Sequence, residues 1–287
     1  MNGIINVYKP VGMTSHDVVK FIRKELKTKK VGHIGTLDPE AEGVLPLCIN
    51  NATKFSSFLM DHNKKYRAEI TFGFSTDTLD KTGTITDVGK LKEFKKEMIV
   101  SILQEFKGKI KQYPPIYSAK KVKGKKLYEY ARAGIEVEIL PINVEIYKID
   151  LVSIILPYKI LIDVECSKGT YIRSLVRDIC AKMDTTGYMS MLIRTQVGPF
   201  NINDAQTLDD IIKYGPKLYD VDYGLEMESI KLNYEDSLKI SHGQLIQNKY
   251  TPFIGYVKIY DYQNLFIGVG ISDENKIKPK RMISRGN

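Results

Sequence analysis

The sequence predicts an α+β protein that ends in a small β-rich unit, and three patterns carry that reading. From Tyr66 to Phe74, Tyr66, Ala68, Ile70, Phe72 and Phe74 alternate with mostly polar residues, the period of a half-buried strand. From Leu91 to Phe106, Leu91, Phe94, Met98, Ile102 and Phe106 recur at helical spacing, and the lysines fall off that stripe. From about Ile230 onward the pattern changes to short strands split by glycine and asparagine, Gly255 to Tyr260 and Leu265 to Ile271. A seam near residues 223–228 divides the 287 residues into units of 1–228 and 229–287.

The remaining elements follow in order. Ile4 to Tyr8 is an apolar strand that Lys9-Pro10-Val11-Gly12 ends with turn residues. Thr14 or Ser15 caps the next helix, with Asp17 in its first turn and Val18, Ile22 and Leu26 on its apolar face. Then comes Gly32-His33-Ile34-Gly35-Thr36-Leu37-Asp38-Pro39-Glu40-Ala41-Glu42-Gly43. Its glycines permit tight turns, and Pro39 pushes Asp38 into an extended conformation. On its residues alone the loop reads either as an ordinary Asp-Pro turn or as a device that holds one carboxylate in one pose. Val44 to Ile49 is a buried segment and Ala52 to Leu59 a helix. Asp77, Asp80 and Asp87 have no calcium-loop spacing and read as solvated or capping groups.

Residues 107–128 hold eight lysines, no acid, three interleaved tyrosines and Pro114-Pro115. Charge for phosphates and rings for bases suit a nucleic-acid strand. Ile135 to Leu156 and Lys159 to Cys166 are strands, and residues 167–170 turn into a helix from Tyr171 to Met183. Arg173 and Arg177 lie near the N-terminus of that helix, where a cation opposes the dipole, so each calls for an anionic partner, with plain exposure the other reading for Arg177. Leu192 to Val197 is a further strand.

A net charge of +9 and a pI near 9.1 point to a polyanionic partner. Cys48, Cys166 and Cys180 contain no CxxC pair, and the four histidines show no metal-ligand spacing. The N-terminus lacks the apolar run of a signal peptide, and Asp150, Lys159 and Asp163 break the most apolar stretch. The expectation is a cytoplasmic protein without disulfides, metal or membrane span.

Several motifs together resemble one family. Lys9-Pro10-x-Gly12-x-Thr14-Ser15 is similar to the opening motif of the bacterial tRNA pseudouridine synthases of the TruB type. Gly32-His33-x-Gly35-Thr36-Leu37-Asp38-Pro39-x-Ala41-x-Gly43 resembles their most diagnostic motif. Tyr66, Pro114-Pro115-x-Tyr117-Ser118-Ala119-x-Lys121, Cys166 to Leu175 and Leu192-x-Arg194 match the others in order. His242-Gly243-Gln244 and Pro279-x-Arg281 resemble a PUA-type RNA-binding module. Two residues depart from the pattern: Glu42 stands where a small residue is common, and Asn50 where glycine is.

The resemblance implies a mixed, largely antiparallel central sheet flanked by helices, an RNA-gripping insertion over residues 107–134 and a PUA-like unit over 229–287. It implies isomerisation of uridine to pseudouridine at position 55 in the T-loop of tRNA, with no cofactor and no metal. Asp38 is then the nucleophile, oriented by a bidentate pair with Arg173. Tyr66 stacks on the everted uracil, its role in proton removal open, and Leu192 walls the pocket. His33 fills the gap left by the flipped base. Lys9, Lys168 and the lysines of 107–126 hold phosphates, and Tyr171 contacts substrate. The implied partner is the T-stem-loop of tRNA, met by a monomer without obligate protein partners. Two other readings share these residues: a tRNA-folding chaperone without essential catalysis, and a guide-RNA-dependent synthase acting on ribosomal RNA.

Overall fold

The computed structural model describes residues 1–91, 93–155 and 158–283. A ten-stranded sheet forms its frame. Its strands are β1 (Gly3–Lys9), β2 (Val31–His33), β3 (Glu42–Ile49), β4 (Lys64–Phe72), β5 (Gly108–Gln112), β6 (Ile142–Ile155), β7 (Lys159–Cys166), β8 (Gly187–Val197), β9 (Phe200–Asn201) and β10 (Leu218–Tyr219). The path across it runs β10-β1-β3-β8-β4-β7-β6-β5, with β2 on β3 and β9 on β8. The expected mixed, largely antiparallel sheet is borne out. Its parallel pairing is β8 on β3, where Ile193 faces Glu42 and Arg194 faces Gly43. Gly43 has φ of 107°, and a Cβ there would lie 2.3 Å from the Arg194 carbonyl oxygen. Only glycine lets the two strands close at this seam.

Three helices matter for the site. α1 (Ser15–Glu25) is capped by Thr14, whose hydroxyl accepts from Asp17 N at 3.0 Å while Asp17 Oδ2 accepts from Thr14 N at 3.1 Å. Val18, Val19 and Ile22 pack from it onto Ile5, Val7, Leu45 and Leu47. α2 (Lys96–Glu105) and α3 (Ile172–Lys182) bury Ile99, Ile102, Leu103, Leu175, Val176 and Ile179 against the β4, β7, β6 and β8 side of the sheet.

The structure corrects several boundaries. The helix expected from Leu91 starts only at Lys96, and the buried stripe is Ile99, Ile102 and Leu103, with Met98 exposed. The strand expected over Ile135 to Leu156 begins at Ile142, and Leu156 lies outside the described residues. Residues 108–112 are not part of a free insertion. They form the edge strand β5, with Lys109 and Lys111 outward and Gln112 buried. Pro114 and Pro115 are buried as well.

From Glu228 onward a five-stranded sheet holds its own core of Ile230, Leu232, Ile240, Val257, Ile259 and Ile277. Phe266 reaches from it to Phe55, ring centroids 5.3 Å apart. Among the described residues no helix is long and apolar enough to cross a membrane.

Candidate active site

Asp38 sits on a loop whose carbonyls are gripped one after another. Arg194, on β8, is fully buried and donates from Nη2 to Gly35 O at 3.1 Å, from Nη1 to Thr36 O at 3.2 Å and from Nε to Val44 O at 2.8 Å. Ser15, at the start of α1, accepts from Leu37 N at 2.8 Å and donates to Leu37 O at 3.1 Å. Pro39 O accepts from Gly12 N at 2.9 Å and from Lys9 Nζ at 3.1 Å. The turn sequence supplies the carbonyls, and buried donors from β1, α1 and β8 fix them. Little freedom is left at Asp38 itself, whose carboxylate stays 41% exposed.

That carboxylate meets Arg173 on α3. Arg173 Nη2 lies 2.8 Å from Asp38 Oδ2, and the guanidinium is 6% exposed. The pair is not the doubled fork expected from the sequence. Nη2 also donates to Tyr117 O at 3.0 Å, while Nη1 donates to Thr78 O at 2.9 Å and faces Asp80 Oδ2 at 3.5 Å. One guanidinium thus holds two carboxylates and two loop carbonyls. Of the two readings of the loop acids, solvated or capping, Asp80 takes the second. It is buried and also accepts from Thr82 N at 3.0 Å and Thr78 Oγ1 at 2.7 Å. Arg177, by contrast, pairs with its neighbour Asp178 at 2.7 Å.

Around Asp38 and Arg173 opens a cleft of about 710 Å³, lined also by Tyr66, Lys64, Ser118, Lys168, Tyr171, Leu192 and Arg194. Tyr66, on β4, is buried, and its hydroxyl lies within hydrogen-bonding reach of Arg194. Burial pushes the phenol up and the guanidinium pulls it back. Leu192 stands opposite Ala68 in the β8–β4 register.

Of the eight sequence candidates, Asp38, Tyr66, Arg173, Lys168, Leu192 and Tyr171 line the cleft, and Lys9 and His33 do not. Lys9 is a correction. It is fully buried, and Nζ donates to Pro10 O, Met13 O and Pro39 O at 2.8, 2.6 and 3.1 Å, so it has no face for a phosphate. A lysine behind a strand and before a turn looks like surface. Here three turn carbonyls replace its water. His33 is half-buried on β2, and burial together with Arg194 lowers the pKa of its imidazole.

The departing residues are also accommodated. Glu42 turns to the Tyr8 hydroxyl, which is pushed up to about 12 by burial and by that carboxylate. Asn50 takes φ of 50°, the left-handed conformation it tolerates, and its side chain donates to Met1 O at 2.7 Å.

Two buried cations yield tests of this scaffold. Arg194→Met leaves three carbonyls without donors, and a loss of about 3–5 kcal/mol in urea unfolding is expected. A loss under about 1 kcal/mol would show that the loop does not need that grip. Burial holds the Lys9 ammonium down at about 8. An unfolded lysine titrates near ~10.4. Between those values the unfolded chain binds more protons, so the stability contributed by Lys9 rises with pH. The difference in unfolding free energy between wild type and Lys9→Met is therefore expected to grow from about pH 7.5 to 9.5. A constant or shrinking difference would contradict the buried-ammonium reading.

Comparison with known proteins fits this geometry. Residues 23–172 match the family described as TruB family pseudouridylate synthase (N terminal domain). Residues 173–218 match the tRNA pseudouridylate synthase B C-terminal domain, and residues 229–283 match Pseudouridine synthase II TruB, C-terminal. The tRNA pseudouridine synthase B of Caldanaerobacter subterraneus subsp. tengcongensis is 55% identical over 98% of this chain and 99% of its own. That of Alkaliphilus oremlandii is 44% identical over 94% and 93%. A chain of the solved Cbf5-Nop10-Gar1 complex superposes with a TM-score of 0.75 at 24% identity, over 98% of this chain and 84% of that one, a likeness of fold. The chain belongs to the TruB family of pseudouridylate synthases.

Proposed function

We propose that this enzyme converts uridine 55 in the T-loop of tRNA to pseudouridine, with Asp38 as the nucleophile. One observation carries the reading: a carboxylate on a pinned loop is paired at 2.8 Å with a buried guanidinium at the wall of a cleft large enough for a nucleotide. The N1–C1′ bond of the nucleoside breaks, uracil turns, C5 bonds to C1′, the C5 proton leaves and N1 gains one. Atoms balance without water or electrons entering.

In that cleft the Asp38 carboxylate acts on the everted nucleoside, and Arg173 aims it. Tyr66 supplies a flat face for the uracil, and Leu192 a dry wall. The raised phenol favours a protonated hydroxyl, which suits stacking more than proton removal. His33, outside the cleft, packs into the space the flipped base leaves in the RNA, repaying part of the few kcal/mol that flipping costs. Lys168, Tyr171, the half-buried Lys120 and the exposed Lys121, Lys123 and Lys125 take the RNA backbone around it. We read residues 1–228 as the catalytic unit and 229–287 as an RNA-binding one, in a cytoplasmic monomer.

The test maps the product. An unmodified tRNA transcript is incubated with enzyme, treated with a carbodiimide that marks pseudouridine, and copied by reverse transcriptase. A stop one nucleotide before position 55 is expected. Stops elsewhere, or none, would overturn the assignment of the site.

A further inference from the structure

Lys168 enters the cleft as a phosphate contact in the reading above, yet in the free protein it is already paired. Its Nζ lies 2.6 Å from Asp61 Oδ1. Both residues line the catalytic cleft, and their side chains are 61% and 64% exposed. An acid at the mouth of a cleft that admits a polyanion opposes entry, and this chain carries a net charge of +9.

Asp61 is not there by the drift of a loose loop. The residues on either side of it are tied by one buried lysine: Lys64 Nζ donates to Met60 O at 2.7 Å and to His62 O at 2.5 Å. His62 is buried in turn, with Nε2 2.7 Å from Gly224 O. The other end is equally fixed. Lys168 sits in a turn where Thr170 Oγ1 donates to Ser167 O at 3.0 Å and Ser167 N donates to Glu145 O at 2.8 Å. Two pinned backbones hold a cation and an anion together at the rim.

We infer that Asp61 occupies, in the free protein, the place on Lys168 that a phosphate of the RNA takes, so that substrate enters by exchanging one anion for another. This rests on the cleft being the RNA site. The exchange lowers the net gain from the Lys168 contact, because the pair must break as the phosphate arrives. RNA bound by charge alone therefore gains little at this rim. Asp61 acts here as a specificity-determining residue that never touches the reacting atoms.

The test is equilibrium binding of a T-stem-loop RNA to the full chain at low and high salt. It compares wild type, Asp61→Asn, Lys168→Met and the double variant. Asp61→Asn is expected to bind about two- to fivefold tighter at low salt, the range an exposed ion pair spans. That gain shrinks as salt screens it. In the Lys168→Met background the gain falls to less than about half, since only repulsion is then relieved. Unchanged or weaker binding by Asp61→Asn, or an equal gain in both backgrounds, overturns the exchange. A wild type that neither binds nor modifies the RNA counts against the functional reading itself. A wild type that does both, with no gain in Asp61→Asn, counts against the exchange alone.

Discussion

Arg173→Lys is expected to lower turnover about 100-fold or more, the cost of losing an aimed donor in an active site. Binding of tRNA changes by less than about threefold, because the guanidinium is buried and offers the RNA backbone no charge. The reason lies in the number of acceptors it serves. Asp38, Asp80, Thr78 O and Tyr117 O surround two terminal nitrogens. An ammonium has one nitrogen and no planar fork, so it cannot hold both carboxylates and both loops in their places. Losing the grip on Asp38 frees the carboxylate to swing, and misplacement of a reacting group by an ångström costs orders of magnitude. Single-turnover rates with saturating enzyme separate this from weak binding. A variant that turns over within about threefold of wild type would remove Arg173 from the aiming role.

How much of this was legible in the sequence depends on where each residue's partner lies. The Asp38 loop could be read because its turn chemistry is local: glycines and Pro39 act within a few residues. Arg173 could be flagged because a cation at a helix N-terminus is locally unfavourable, and its partner is indeed an acid. Asp80 could not be separated from Asp77 and Asp87. All three are loop acids, and the buried one, Asp80, is told apart by Arg173 arriving from α3 and by its bridge to Met189 on β8. Lys9 and Arg194 were opaque for the same reason. Arg194 is held by carbonyls about 150 residues away, and Lys9 by two carbonyls of its own turn together with Pro39 O from the Asp38 loop, a closure that no periodicity announces. Only the Leu192-x-Arg194 motif hinted that Arg194 mattered.

The same logic explains the misplaced boundaries. Residues 107–112 looked like an RNA-binding run because lysine alternates there, yet that alternation is also the pattern of an edge strand with a charged outer face, which β5 is. In the stretch from Leu91 to Phe106, Phe94 packs on the core without being helical. Phe94 and Met98 keep helical spacing, yet the face that α2 buries runs one residue on, through Ile99.

Asp38→Asn carries the largest expected effect. Asparagine keeps the size of the side chain and its fit on the pinned loop, but an amide is a far weaker nucleophile than a carboxylate. The loop's hydrogen bonds run through backbone carbonyls, so the fold is expected to survive the change. Release of tritium from 5-tritiated uridine in a T-stem-loop transcript reads the chemistry directly, because C5 loses its hydrogen only when the new carbon–carbon bond forms. Wild type is expected to release the label, and folded, RNA-binding Asp38→Asn none above background. Release by that variant at the wild-type rate would contradict Asp38 as the reacting group.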